Sequence, residues 1–179
     1  MKTSIAVCSA AIMLFAAAFN TRAAIIAGPI TNPANGHDYY LLSPNTWTLS
    51  EAEAESLDGT LAVIKNADEQ KWVFSTFGAD GGTNRNLWIG LHRNFHGGSL
   101  GWVTGEKLDY ADWAGGQPDN TGGIEDYVFM ASANRPWGFP AGSWADFTDN
   151  GIVDGSTQMG LSSCRAKPMR FLFPRRNVL

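Results

Sequence analysis

The ten residues from Gln117 to Asp126, Gln-Pro-Asp-Asn-Thr-Gly-Gly-Ile-Glu-Asp, restrict the local fold more than any other segment of this chain. Its proline and its pair of glycines exclude a continuous helix or a central strand. The segment is therefore a loop, and its oxygen-bearing side chains include Gln117, Asp119, Glu125 and Asp126. Oxygen ligands at short, irregular spacing suit Ca²⁺, which accepts about six to eight oxygens. The alternative is an acidic, solvated turn.

The N-terminus indicates export. Lys2 precedes an apolar segment from Ile5 to Phe19, and small residues follow at Ala23 and Ala24. This pattern is typical of a secretory signal peptide at residues 1–23, so we expect a secreted protein, extracellular or periplasmic. The alternative is an N-terminal membrane anchor. Because the apolar segment is short for a bilayer span, we expect no membrane span in the mature chain.

Cysteine content and charge further limit the kinds of protein and partner that this sequence allows. Cys8 lies in the predicted signal peptide, so Cys164 remains alone and the mature chain forms no internal disulfide. The formal net charge of the whole chain is −4. Five basic residues follow Cys164 without any acid, which leaves an acidic body: Arg165, Lys167, Arg170, Arg175 and Arg176. An acidic body argues against nucleic acid as a partner and is compatible with a cation site.

Helix signals are confined to the first half of the chain. Residues 37–42 predict a strand, and the Thr48–Glu51 spacing predicts a capping box for a helix over 49–57. Asn66 predicts the cap of a second helix over 69–77. Further strands are predicted at 61–64, 86–91, 101–104, 125–130 and 143–147. The remainder of residues 109–142 reads as a long loop, and the order of elements indicates an α+β fold.

Six short motifs, in this order and spacing, resemble the C-type lectin domain family: Leu87-Trp-Ile-Gly-Leu91, Gly101-Trp102, Tyr110-Ala-Asp-Trp113, Gln117-Pro-Asp119, Glu125-Asp126 and Gly142-Ser-Trp-Ala-Asp146. The resemblance implies a C-type lectin-like fold with two helices, two small antiparallel sheets and a long ligand-binding loop region. We place this domain at residues 34–158. Residues 159–179 are then a basic tail, either disordered or an atypical last strand, and a shifted reading frame is a further alternative.

The resemblance also implies a Ca²⁺ site formed by four side chains: Gln117, Asp119, Glu125 and Asp146. A cis peptide at Pro118 would direct its two neighbours toward one point. The same four residues would bind sugar, with Trp137 as an aromatic contact and Phe139 as the alternative. Asn120 and Asp126 resemble contributors to a second ion site. In this family Gln-Pro-Asp accompanies galactose-type sugars more often than mannose-type ones, so the implied function is Ca²⁺-dependent binding of galactose-type glycans.

Several residues depart from the family pattern. Ala145 stands where the family places a ligating asparagine, so we expect weaker ion binding. Ala54, Tyr127 and Asp149 stand where vertebrate members have disulfide partners, and packing must compensate for the missing bridges. These departures keep a second hypothesis open, a calcium-independent module of the same fold that binds a protein or another surface.

Catalytic signatures are weak in this sequence. Glu125 and Asp126 are adjacent, and on a strand they would point to opposite faces, unlike the facing carboxylates of a glycosidase. His92 and His96 have a zinc-like spacing, but the glycines that follow exclude a helix that would hold them together. Cys164 has no evident base beside it. We therefore expect a binding protein and not an enzyme, while its oligomeric state is undetermined by the sequence.

Overall fold

The computed structural model describes residues 25–78, 85–132 and 138–149 with their side chains, and the backbone of three short strands beyond them. The predicted signal peptide, residues 1–23, lies outside the described residues. Trp137 also lies outside them. Of the predicted basic tail, the backbone of Leu161–Ala166 is described as a strand, and residues 167–179 lie outside the described part.

Two helices form in the described residues, close to where the sequence predicts them. Helix α1 spans Trp47–Ser56 and helix α2 spans Ala67–Val73, which continues into one π turn at Phe74–Gly78. The predicted cap of α2 is confirmed, because Asn66 Oδ1 accepts from the backbone N–H of Glu69 at 2.9 Å.

The capping box predicted for α1 is wrong. Thr46, not Thr48, is the cap, and its hydroxyl accepts from the backbone N–H of Leu49 at 3.3 Å. The Glu51 carboxylate turns away from the first turn of the helix and accepts from the backbone N–H of Leu61 at 2.7 Å. This contact joins α1 to the strand that follows it, which is a tertiary interaction that local spacing does not encode.

Ten strands are described, and their bounds follow: β1 Ile25–Thr31, β2 Asp38–Leu42, β3 Gly59–Leu61, β4 Leu87–Arg93, β5 Leu100–Trp102, β6 Tyr127–Met130, β7 Trp144–Phe147, β8 Ile152–Val153, β9 Thr157–Gln158 and β10 Leu161–Ala166. Strand β1 was not predicted, because most of its side chains are exposed and lack the alternation that marks a half-buried strand. Strands β8 and β9 pair with each other as a separate ribbon.

The antiparallel pairs form two groups that meet at β10. One group contains β1, β2, β3 and β10, and the other contains β4, β5, β6 and β7. A short parallel pairing between Leu161 of β10 and Leu87 of β4 joins them. The predicted α+β fold, with two helices and two small antiparallel sheets, is confirmed. The second group carries the strands that position the candidate site.

Trp144 is the centre of the core beneath the long loop. It is fully buried, and three aromatic rings meet it edge to face at 5.7–5.8 Å between centroids: Trp102, Tyr110 and Trp113. Its indole N–H donates to Gln70 Oε1 of α2 at 2.9 Å. Edge-to-face pairs stabilise beyond the burial of their area, so this cluster fixes β7 and with it Asp146, two residues further along the strand.

Two of the three positions where the resemblance implies disulfide partners in vertebrate members make specific contacts in this structure. Tyr127 packs against Trp47 of α1 with ring centroids 4.7 Å apart. The Asp149 carboxylate accepts from the backbone N–H of Thr48 at 3.0 Å and from its hydroxyl at 2.5 Å. An anion at the start of a helix is favourable because the first N–H groups lack partners within the helix. Helix α1 is therefore held to the strands without a covalent bridge.

Candidate functional site

The segment that precedes the site is anchored to β7. The backbone N–H of Ala114 donates to the Trp144 carbonyl at 2.9 Å, and that of Gln117 donates to the Ala114 carbonyl at 3.0 Å. The Gln117–Pro118 peptide bond is cis. Gln117 Oε1 accepts from the backbone N–H of Asp146 at 3.3 Å. These contacts place the Gln-Pro-Asp motif beside Asp146.

Asp146 lies at the centre of the site, with its side chain fully buried. One carboxylate oxygen, Oδ1, accepts from the backbone N–H of Asp119 at 3.0 Å. The other, Oδ2, accepts from the backbone N–H of Asn120 at 3.1 Å and from Arg93 Nη2 at 2.7 Å. A carboxylate offers about four acceptor positions, so three of them are used within the protein.

The loop then closes on itself between residues 119 and 125. Asn120 has a left-handed backbone, φ 47°, which asparagine tolerates better than most residues. Its side-chain oxygen accepts from the backbone N–H of Glu125 at 3.0 Å. The backbone N–H of Thr121 donates to Glu125 Oε2 at 2.9 Å and to Asp119 Oδ1 at 3.2 Å. This closure brings the side chains of Asp119 and Glu125 together.

Three carboxylates converge as a result. Asp119, Glu125 and Asp146 each present an oxygen within 4.8 Å of the others. Asp119 is exposed, whereas Glu125 and Asp146 are buried. A pocket of about 450 Å³ contains this cluster and Gln117, and three phenylalanines also line it: Phe129, Phe139 and Phe147. The pocket thus combines converging oxygens with apolar surface.

The proximity of these carboxylates alters their protonation. The pKa of Glu125 is raised to about 7, chiefly by burial, with smaller contributions from a hydrogen bond to Asp119 and from the charges of Asp146 and Asp119; a hydrogen bond from the Thr121 amide opposes the rise. Burial also acts to raise the pKa of Asp119, but hydrogen bonds from Thr121, Glu125 and Gln117 outweigh it, and the pKa of Asp119 lies below its ordinary value. A proton on Glu125 that is shared with Asp119 therefore relieves part of the repulsion.

The donor set fits a hard cation. All the ligating atoms that Gln117, Asp119, Glu125 and Asp146 offer are oxygens, which Ca²⁺ prefers. Three carboxylates face one guanidinium, so the cluster keeps an excess of two negative charges when every group is ionised. Ala145 is buried in an apolar cluster with Trp88 and Phe129 and adds no side-chain oxygen.

The two residues predicted for a second ion site have other partners. Asn120 uses its side-chain oxygen for the amide of Glu125. Asp126 Oδ2 lies 2.5 Å from His96 Nδ1, and its Oδ1 lies 3.9 Å from Arg93 Nε. Asn120 and Asp126 are thus placed on the same loop with different contacts, and the second ion site stays a prediction. Of the two aromatic candidates, Phe139 lines the pocket and Trp137 is outside the described residues.

Sequence reasoning missed Arg93. It is the last residue of a strand whose first five residues are buried, and its own side chain is 11% exposed. A basic residue at the end of such a strand, in a chain whose acidic loop lacks any basic residue between positions 108 and 134, is a signal that could have indicated it. Its partner in the site lies 53 residues later, so the pairing itself depends on the fold.

Residues 43–150 match the family model described as the lectin C-type domain. The chain belongs to the C-type lectin domain family. This C-type lectin domain is 36% identical over 90 residues to C-type isolectin Sp-CL4 of Scorpaena plumieri, covering 50% of this chain and 60% of the isolectin. It is 36% identical over 73 residues to the galactose-specific lectin nattectin of Thalassophryne nattereri, covering 41% of this chain and 46% of nattectin. The chain therefore spans less than two thirds of either relative.

Solved structures support the same fold. The C-type lectin CEL-I from Cucumaria echinata superposes on this C-type lectin domain with a TM-score of 0.56 and 25% identity, covering 71% of this chain and 89% of CEL-I. C-type lectin domains generally bind Ca²⁺, and the carboxylate cluster of this domain has an arrangement that can hold a metal ion. Within the described residues, no helix combines the length and apolar character needed to cross a membrane.

Proposed function

We propose that this protein is a secreted carbohydrate-binding protein that binds galactose-type glycans with the help of Ca²⁺. The observation that carries the proposal is the convergence of the Asp119, Glu125 and Asp146 oxygens within 4.8 Å of one another, beside Gln117. The family supports it, because a relative with 36% identity is described as a galactose-specific lectin. Secretion rests on the predicted signal peptide at residues 1–23.

Each residue of the cluster has a role in this proposal. Gln117, Asp119, Glu125 and Asp146 would hold the ion. When bound, Ca²⁺ supplies coordination positions for two adjacent sugar hydroxyls. The carboxylates of Asp119 and Glu125 accept hydrogen bonds from those hydroxyls, and such charge-assisted bonds are stronger than neutral ones. Phe139 offers an apolar surface to the C–H face of the sugar, since it lines the same pocket.

The test has two stages. Thermal unfolding is first followed with increasing Ca²⁺, with Mg²⁺, and with a chelator, because an ion that binds only the folded state raises the melting temperature with its concentration. A glycan array is then read with and without chelator. Asp119→Asn should abolish the Ca²⁺ response, whereas Asp109→Asn should not, since Asp109 is an exposed residue that pairs with Lys107. A wild-type melting temperature unaffected by Ca²⁺ would remove the ion from the proposal.

Two observations favour a second function, a calcium-independent module of the same fold that binds a protein or another surface. Arg93 already supplies a positive charge to Asp146 at 2.7 Å, and Ala145 supplies no ligand. If this second function holds, glycan signals are absent or unchanged in chelator, and the Asp119→Asn variant binds its partner as the wild type does. The glycan array read in chelator thus distinguishes Ca²⁺-dependent glycan binding from the calcium-independent function.

A further inference from the structure

Arg93 joins three segments that surround the candidate site. Its Nη2 donates to Asp146 Oδ2 at 2.7 Å, its Nε donates to the Glu125 carbonyl at 3.1 Å, and its Nη1 donates to the Gly98 carbonyl at 3.0 Å. The Arg93 side chain is 11% exposed and that of Asp146 is 0% exposed. One guanidinium therefore ties β4, β7, the β4–β5 turn and the end of the ligand loop together.

The ion pair also acts on two backbone N–H groups of the loop, because Asp146 is their acceptor. The same carboxylate accepts from the backbone N–H groups of Asp119 and Asn120, at 3.0 and 3.1 Å. If Arg93 were absent, Asp146 would be a buried charge without a cation, which is costly enough to drive either protonation or movement. In both cases the acceptor for those two amides would be weakened. The loop arrangement thus depends on a residue that does not line the pocket.

We infer that Arg93 is a positioning residue, which holds Asp146 and residues 117–126 in their ligand-binding arrangement before any ion binds. The identity of the ligand rests on the proposed function, but the positioning is a property of the chain alone. Loop order is then independent of Ca²⁺ in the wild type, and the ion is required only for the sugar. Removal of Arg93 makes loop order depend on the ion.

Hydrogen exchange read by mass spectrometry tests this directly, because the amides of Asp119 and Asn120 are the reporters. The full chain is measured in chelator as wild type, as Arg93→Met, which removes the donors at similar length, and as Lys107→Met. The last is the matched control, since Lys107 is 84% exposed and pairs with Asp109. We expect exchange in residues 117–126 to rise roughly tenfold or more in Arg93→Met, with less than about a twofold change in α2.

Two further measurements separate positioning from a general effect on the fold. Arg93→Lys keeps the charge but has a single nitrogen, so it should restore part of the protection that Arg93→Met loses. Added Ca²⁺ should also restore protection in Arg93→Met while changing the wild type little. Unchanged protection of residues 117–126 in Arg93→Met, or a uniform rise in exchange that includes α2, would overturn the inference.

The outcomes also distinguish this inference from the proposed function. If Ca²⁺ has no effect on exchange or melting of any variant, the proposed ion is wrong, yet loss of local protection in Arg93→Met in chelator still supports positioning. If Ca²⁺ stabilises the wild type but Arg93→Met keeps its protected loop in chelator, positioning is wrong and the proposed function stands. Should Arg93→Met fail to fold, Arg93→Lys with its intermediate protection carries the same comparison.

Discussion

Replacement of Glu51 by glutamine should stabilise the protein at alkaline pH and leave it unchanged at acidic pH. The pKa of Glu51 is raised from its ordinary value of 4.5 to about 7, chiefly by burial; the hydrogen bond from the Leu61 amide opposes this rise, and the charge of Glu55 adds to it. Since the folded-state pKa lies above that of the unfolded chain, the native state binds the proton more tightly. This contribution is complete below about pH 4.5 and is lost as the pH rises through about 7.

The size of the effect follows from the shift. One pKa unit corresponds to about 1.4 kcal/mol, and the partial exposure of Glu51 reduces the value because solvent screens the charge. We therefore expect Glu51→Gln to gain about 1–2 kcal/mol at pH 8, or roughly 3–6 °C in melting temperature for a domain of this size. Glutamine keeps an oxygen that can accept from the Leu61 amide, so the hydrogen bond is retained in weaker form.

The assay is thermal unfolding of wild type and Glu51→Gln at pH 4, 5, 6, 7 and 8 in chelator, with Asp109→Asn as an exposed control. The melting temperature of Glu51→Gln should equal that of the wild type at pH 4. The difference between the two melting temperatures should grow between about pH 4.5 and about pH 7 and level off above that range. A difference that is constant with pH, or a wild type that is the more stable protein at pH 8, would refute the reasoning.

Three other substitutions test separate parts of the structure. Asp149→Ala should lower the free energy of unfolding, measured in urea, by about 1–2 kcal/mol, because the amide and hydroxyl of Thr48 lose their acceptor. An unchanged urea midpoint would contradict this. Gly90→Ala should lower the free energy of unfolding by about 2 kcal/mol or more, because the new Cβ would lie 2.8 Å from the backbone oxygen of Leu61. A variant as stable as the wild type would show that β3 can move to make room for the methyl group. Phe139→Ala should weaken glycan binding about 2- to 10-fold and leave stabilisation by Ca²⁺ intact; an affinity equal to that of the wild type on titration would exclude the ring from the sugar contact.

The elements that could be predicted from sequence are those whose causes are local. Asn66 caps α2 because its side chain reaches an amide three residues later. The sequence around α1 contains two threonines: Thr46 is the cap, and the hydroxyl of Thr48 donates instead to Asp149, which lies 101 residues later. Strand β1 carried no periodic signal because its side chains are mostly exposed, so only pairing with β2 defines it.

The same distinction holds for the candidate site. Gln117, Asp119 and Glu125 lie within one loop, so their proximity follows from short-range turns and hydrogen bonds. Asp146 joins them because the aromatic cluster around Trp144 fixes β7, a pattern that the family resemblance conveys but spacing alone does not. Arg93 is placed neither by contacts within the loop nor by a motif of the family resemblance. Its pairing with Asp146 requires β4 and β7 to flank β6 in the sheet, which no local pattern reports.

Ala145 and Arg93 both bear on the proposed ion site. Ala145 packs with Trp88 and Phe129, so an asparagine there would have to place its amide against apolar surface or point it out of that cluster. Arg93 meanwhile neutralises one of the three carboxylates, so a single divalent ion balances the excess of two negative charges that remains. If Ca²⁺ binds as proposed, its two charges match that excess, and the site offers one neutral oxygen fewer than the family resemblance implies. On that proposal the number of ligands, and not the net charge, would limit the affinity for the ion.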